Sequence, residues 1–271
     1  MVAALQARGH TVAMTGDGVN DVLALKEADM GIAMGNGSSA SRAVAQLVLL
    51  DNRLATLPRV LAEGRRVINN IERVANLFIA KASYAVLLTA LVGLLGVPFP
   101  FRPKQLTLIG TFSIGVPGFF LALAPDDSLV RPGFLRRVLS YSLPAGVAAA
   151  AATLTCYEVV RRSSATLAEA RTAATVTLLA LGLVILLVIS RPVRAWKLVL
   201  AAAMGLSYGA VVAIEAGRQY FEMDMPPASA WVATAACVLG GGLLVGLLPR
   251  LVTEATTRFP TPARYTPGDN S

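Results

Sequence analysis

The chain has 271 residues, 55% of them hydrophobic and only 15% charged, with a formal net charge of +8. Soluble domains carry about 25% charged residues, so this balance points to a membrane protein and away from an ordinary soluble enzyme. The positive excess does not indicate nucleic acid, because the basic residues stand in short groups between apolar spans, where anchoring to the inner leaflet accounts for them.

Residues 1–52 read as alternating α and β pieces. The pattern predicts a helix over 2–7, a strand over 11–14, a helix over 20–28, a strand over 30–34, a helix over 38–45 and a strand over 47–50. Strands alternating with helices at this spacing imply a parallel sheet of Rossmann type. Three strands are few for such a domain, so the sheet is expected to be completed by sequence beyond this chain. Ser38 or Ser39 is placed to cap the third helix. His10, the single histidine, reads as a turn residue between Gly9 and Thr11 and not as a catalytic base.

The first predicted strand runs into Thr15-Gly16-Asp17-Gly18-Val19-Asn20-Asp21. Two carboxylates and an amide around two glycines suit a hydrated Mg²⁺ and a phosphoryl group. Mg²⁺ takes oxygen ligands, keeps several waters and is held by one or two carboxylates together with phosphate oxygens. Asp17 and Asp21 are the expected metal ligands, and Asn20 offers an amide donor to phosphate. Gly16 and Gly18 are expected to take positive φ and let the backbone approach a ligand. The plainer alternative is a surface turn of Gly, Asp and Asn.

From residue 54 to about 76 apolar residues recur at steps of three and four, with Arg65, Arg66, Glu72 and Arg73 on the other face. This helix is expected to run on into a first membrane span. Six stretches close to the about twenty residues needed to cross a bilayer fall near 75–97, 105–124, 138–160, 172–190, 195–214 and 228–248. The expected fold is therefore an α-helical membrane bundle of six spans preceded by a partial α/β Rossmann-like domain. Its parts are 1–52 (α/β), 53–74 (linking helix), 75–250 (membrane domain) and 251–271 (cytoplasmic tail). Arg131, Arg136, Arg137, Arg191, Arg194, Lys197, Arg250, Arg258 and Arg264 then share one side, which predicts a cytoplasmic N-terminus; Arg161, Arg162 and Arg171 run against it. Cys156 and Cys237 lie inside apolar runs without CxxC or Cys/His spacing and define no disulfide or metal site.

The segment from Thr15 to Asp21 resembles the hinge-side phosphate motif of P-type ATPases, which belong to the haloacid-dehalogenase-like superfamily. Ala24-Leu25-Lys26, Ala28-Asp29-Met30-Gly31-Ile32-Ala33-Met34-Gly35 and Val48-Leu49-Leu50-Asp51-Asn52 follow in that family's order. The six spans match the last six of ten in the family. The chain looks most like the C-terminal part of the calcium-transporting ATPase-E type of actinobacteria.

The resemblance implies Mg²⁺ as cofactor, ATP as substrate, a transported cation and the lipid bilayer as partners, and a multi-pass position in the plasma membrane. It also implies catalytic roles for Asp17, Asn20 and Asp21, with phosphate contacts from Thr15, Gly16, Gly18 and Asn20. The family's phosphorylated Asp in DKTGT, its TGE loop and its nucleotide-binding insertion do not occur in these residues. A missing N-terminal part of the ATPase is expected to supply them. Membrane-tethered phosphatase and inactive fragment remain alternative readings.

Polar residues inside a bilayer are functional candidates. The family's oxygen-bearing positions fall on Ala82, Ala85, Gly110 and Ile114, which carry no ligand oxygen on their side chains. Lys81, Ser83, Tyr84, Thr111 and Ser113 are the remaining transport-site candidates, together with Thr89 and Thr107, and unwound backbone is expected near Gly115-Val116-Pro117-Gly118. Packing between helices is the alternative for the hydroxyls. For Lys81 the readings are a snorkelling side chain and an internal cation.

Overall fold

The computed structural model describes residues 1–130, 133–190 and 194–257, and all of their side chains but those of 250 and 252–257. Arg131, Arg191, Arg258 and Arg264, the Arg250 side chain and most of the expected tail lie outside what is described. The chain divides into two compact units, Met1–Arg65 and Arg66–Ser271.

The first unit holds three parallel strands in the order β1 (Ala13–Gly16), β2 (Met30–Met34) and β3 (Leu47–Leu49). Ala13 pairs with Met30 and Gly16 with Ala33, while Ile32 pairs with Leu47 and Met34 with Leu49. The apolar residues that drive this pairing are Ile32, Ala33 and Leu49, buried together with Leu25 and Ala28. The helices are α1 (Val2–Gln6), α2 (Val22–Glu27) and α3 (Ser39–Val44).

Strand β1 starts two residues later than the sequence pattern places it. The Val12 amide is taken by the Asp29 carboxylate at 2.8 Å, so sheet pairing begins at Ala13. Asp29 also accepts from Gln6. The Val12 and then the Gln6 hydrogen bond hold its carboxyl below the usual range. The helix expected from residue 20 opens as a 3₁₀ turn (Val19–Asp21) before α2.

Ser38 is the cap of α3: its Oγ accepts from Ser41 N at 3.0 Å. Loss of an N-cap hydroxyl costs about 1 kcal/mol. A Ser38→Ala chain should therefore lose protection of the Ser41 amide in hydrogen exchange by about five-fold, while the Leu25 and Ile32 amides keep theirs.

The boundary between units falls within α4 (Leu57–Leu95), which is 39 residues long. At 1.5 Å per residue it measures about 58 Å, against about 30 Å of hydrocarbon. The continuous helix expected from residue 54 is thus present, after a short 3₁₀ turn at Leu54–Thr56. The second unit continues with α5 (Pro103–Gly110), a π turn (Thr111–Gly115), α6 (Val116–Ala122), α7 (Phe134–Arg161), α8 (Leu167–Ile189), α9 (Ala195–Ala213), α10 (Glu215–Phe221) and α11 (Ala228–Thr257). Among the described residues, six helical segments are long and apolar enough to cross a membrane: Leu54–Leu95, Pro103–Ala122, Phe134–Arg161, Leu167–Ile189, Ala195–Ala213 and Ala228–Pro249. The chain is a multi-pass membrane protein. Helix α10 lies in a stretch for which the sequence pattern gave no element.

The second span is not unwound at Gly115-Val116-Pro117-Gly118 as expected; it stays helical and absorbs Pro117 in the π turn before it. Pro117 has no N–H and would collide with the carbonyl four residues back in a regular helix. Widening one turn relieves that clash.

The bundle core is built on small residues of α7, where Ala145, Ala148, Ala149 and Ala150 are buried. Close approach between helices needs glycine at three crossings. A Cβ at Gly146 would lie 2.5 Å from that of Ser83, one at Gly182 2.7 Å from that of Ser113, and one at Gly241 2.6 Å from that of Ala152. Without a hydrophobic drive between helices in lipid, such packing is what holds spans together.

Candidate phosphoryl site and intramembrane polar residues

All three strands are parallel, so Gly16, Met34 and Leu49 end on one edge of the sheet. Ligands of open α/β sheets bind beyond that carboxyl edge, and the loop after β1 leads into it. Two residues of the next loop and helix fix this loop. Ser38 N donates to the Asp17 carbonyl at 2.7 Å, and Ser41 Oγ donates to the Gly18 carbonyl at 2.6 Å. Sequence reasoning gave Ser38 a capping role only and missed Ser41; the spacing that places a second hydroxyl one helical turn on was the available signal.

Asp21 Oδ2 accepts from Gly18 N at 3.1 Å, which folds the acidic side chain back over its own loop. A Cβ on Gly16 would stand 2.6 Å from Asp21 Cβ, and one on Gly37 would stand 3.0 Å from the Asp17 carbonyl oxygen. These glycines are required by close approach. The expected positive φ is absent at both Gly16 and Gly18, the latter having φ −93°. The loop is extended there, and the left-handed turns of this unit belong to Gly9 and Asn52. Asn52 accepts from Asn36 N at 2.9 Å through its side chain, a local bond that makes left-handed backbone tolerable for asparagine. Its neighbour Asp51 is held below the usual carboxylate range, first by the Thr56 hydroxyl and then by the Arg53 amide.

Asp17 and Asn20 are exposed, and neither side chain makes a hydrogen bond or ion pair among the described residues. Thr15 is exposed on β1, one residue before the loop. The segment thus brings an unencumbered carboxylate and amide to one end of the sheet, with Asp21 as the brace beneath them. No group of three or more His, Cys, Asp or Glu occurs among the described residues. A carboxylate pair of which one member is hydrogen-bonded to backbone cannot replace the whole shell of a metal ion. It fits Mg²⁺, which retains water and shares phosphate oxygens.

In the second unit the transport-site candidates do not converge. Ser83 Oγ donates to Ile79 O at 2.8 Å and Ser83 packs on Gly146 of α7; Ser113 Oγ donates to Ile109 O at 2.7 Å and Ser113 packs on Gly182 of α8. Both hydroxyls are spent on their own helices. Thr107 bonds Pro103 O, Thr111 faces outward, and Tyr84 is buried in the core. Lys81 differs: its Nζ lies 3.4 Å from the point a Cβ on Gly110 would occupy. Glu158, near the end of α7, is held by Arg161 and Arg162 at 2.9 and 3.2 Å.

The polar residues on α4 do more than present a solvated face. Glu72 binds Arg137 of α7 with contacts of 2.9 and 2.6 Å. Arg73 pairs with Asp126, Asn69 donates to Ser128 O, and Asn70 donates to Ala122 O and Ala124 O. These bonds pin the loop after α6 to the first span.

The sequence profile of the haloacid dehalogenase-like hydrolase family matches residues 1–60. Over 264 residues, 92% of this chain, it is 49% identical to the calcium-transporting ATPase CtpE of Mycolicibacterium smegmatis. The chain belongs to the P-type ATPase family. The corresponding protein of Mycobacterium tuberculosis is 49% identical over 90% of the chain, and the endoplasmic reticulum-type calcium-transporting ATPase 3 of Arabidopsis thaliana is 36% identical over 51% of it. The chain spans about a third of the CtpE proteins, 33% and 32%, and 14% of the plant pump.

Proposed function

We propose that this chain is the C-terminal part of a P-type ATPase that couples ATP hydrolysis to transport of Ca²⁺ across the plasma membrane, with its N-terminus in the cytoplasm. The observation that carries the reading is the pairing of two features along one chain. A phosphoryl-type loop ends a parallel strand, and six apolar spans follow it in a sequence 49% identical to a calcium-transporting ATPase. In this reading residues 1–52 belong to the phosphorylation domain, 53–74 to the linking helix, 75–250 to the membrane domain and 251–271 to a cytoplasmic tail.

Asp17 supplies a carboxylate to Mg²⁺, Asn20 donates to a phosphoryl oxygen, and Asp21 holds the loop through Gly18 while its second oxygen stays available to the metal's waters. Thr15, Gly16 and Gly18 line the phosphate side. Mg²⁺, when bound, neutralises charge on the phosphoryl group. The chain's own residues orient that group at the sheet edge. Ser83, Tyr84 and Ser113 act mainly by packing the bundle, as the bonds of the two serines to their own helices and the burial of Tyr84 support.

The test is ATP-driven ⁴⁵Ca²⁺ accumulation by the full-length ATPase in sealed vesicles, with the purified 271-residue chain as comparison. The full-length protein should accumulate the ion, and the chain alone, which has no DKTG sequence, should neither accumulate it nor hydrolyse ATP. Absence of ion uptake by the full-length protein overturns transport. Hydrolysis of a simple phosphate ester by the chain alone would favour a tethered phosphatase.

A further inference from the structure

The fold brings together two thiols that stand far apart along the chain, where their spacing defines no pairing. Helices α7 and α11 cross at Ala152 and Gly241, and a Cβ on that glycine would lie only 2.6 Å from the Ala152 Cβ. One turn further along α7 stands Cys156, and one turn back along α11 stands Cys237. These steps lead to the same level. Cys156 Sγ lies 3.7 Å from Thr234 Oγ1, which belongs to the turn of α11 that carries Cys237. Contact therefore moves down α11 as it moves up α7, and the helices run antiparallel. The Thr234 hydroxyl donates to Ala230 O at 2.8 Å, so toward Cys156 it offers a lone pair, and the Cys156 S–H points at α11. The Cys237 thiol in turn interacts with that of Cys156.

The two sulfurs differ in access. Cys156 is fully buried, while Cys237 is half-buried. A disulfide spans Cα atoms about 4.4–6.8 Å apart, and a crossing too tight for a methyl group on Gly241 brings the facing backbones to that order of separation. Cys156 stands five residues before the end of α7 and Cys237 nine after the start of α11, about 7 and 14 Å along the helix axes. In the orientation proposed above these ends face the outside of the cell, where disulfides form and persist. The pairing of the thiols does not depend on that orientation.

We propose that Cys156 and Cys237 are a redox pair, joined by hydrogen peroxide into a disulfide that fastens α7 to α11. Peroxide is small and neutral and enters lipid. The more accessible Cys237 Sγ takes one peroxide oxygen: its S–H and the O–O bond break, an S–O bond forms, and the proton leaves with the departing hydroxide as water. Such a sulfenic acid condenses with a neighbouring thiol. Cys156 Sγ attacks the Cys237 sulfur, the S–S bond forms, and the S–O bond breaks. The Cys156 proton leaves with that hydroxide as a second water. Together the thiols lose two electrons and the peroxide gains them.

The experiment treats the full-length ATPase in membranes with hydrogen peroxide, removes the excess, blocks remaining thiols with iodoacetamide in denaturant and digests with trypsin. Cleavage after Arg137, Arg161, Arg218 and Arg250 gives peptides 138–161 and 219–250, each with one cysteine. The treated wild type should yield most of this material as a joined peptide, two hydrogens lighter than its parts, which dithiothreitol separates. In Cys237→Ser the joined peptide should be absent. Closing a long loop constrains the unfolded chain, so the oxidised wild type should unfold in detergent several degrees above its dithiothreitol-treated form, a difference that Cys237→Ser should lack.

If both peptides keep their iodoacetamide label after peroxide, the pair is inert and the proposal fails. Sulfinic or sulfonic acid on 219–250 with 138–161 still labelled overturns it too, since no second thiol was then within reach. So does a join between two copies of 219–250, which would turn Cys237 toward another molecule. A joined peptide without a rise in unfolding temperature overturns the fastening of α7 to α11.

Discussion

Replacing Asp17 with asparagine in the full-length ATPase should lower Mg²⁺-dependent ATP hydrolysis by about 10²–10³-fold, the scale seen when one preorganised charge-stabilising group is lost. Stability should hardly change. The Asp17 side chain is exposed and makes no hydrogen bond or ion pair among the described residues, and substitutions of that kind stay within about 0.5 kcal/mol. Asp21→Ala provides the contrast. It removes the acceptor for Gly18 N and the side chain against which Gly16 is packed, so it should cost about 1 kcal/mol in folding as well as activity. Measuring turnover and thermal unfolding on both variants separates the two roles. An Asp17→Asn enzyme with wild-type turnover would remove this carboxylate from the chemistry, and an equally destabilised pair would make both residues structural.

That contrast could not be read from the sequence, where Asp17 and Asp21 look equivalent. Residue type and spacing announced the acidic loop, the parallel sheet, the six spans and the long first helix, because each depends on local composition or on a period along the chain. What escaped was set by contacts between distant segments. Asp29 captures the Val12 amide and moves the start of β1. Gly16, expected to turn the chain, instead makes room for Asp21, and Gly37 makes room for the Asp17 carbonyl. Pro117 was correctly a disturbance, but whether a helix answers a proline by unwinding or by a π turn depends on the helices packed around it, here α8 through Gly182 against Ser113. Likewise the charges on α4 read as a solvated face, since their partners Asp126 and Arg137 lie more than fifty residues away.

The pair formed by one of those charges carries the second large effect. Arg73 and Asp126 have side chains only 11% and 19% exposed, and Arg73 also donates to Asn70 Oδ1 at 3.2 Å. Asp126→Ala leaves the guanidinium without its charge partner, a change that costs about 3–5 kcal/mol when burial is complete. An open cavity of about 620 Å³ bordered by Arg73, Asp126 and Arg137 admits water to the stranded charge, so the expected loss is near the lower figure, ~3 kcal/mol.

The pH dependence identifies the cause. Partial burial pushes the Asp126 carboxyl up, but the Ser128 hydrogen bonds and Arg73 outweigh it and hold it below the usual carboxylate range. A carboxyl lowered in the folded state stabilises the protein fully above its unfolded pKa and loses that contribution as pH falls through the folded value. Thermal unfolding in detergent micelles should therefore show Asp126→Ala well below wild type at pH 7, with the gap closing below about pH 4. Asp126→Asn should follow the same course with a smaller gap, because the amide keeps an oxygen toward Ser128 N. A gap of equal size at pH 3 and pH 7 would mean that lost packing, not the ion pair, fastens this loop to the first span.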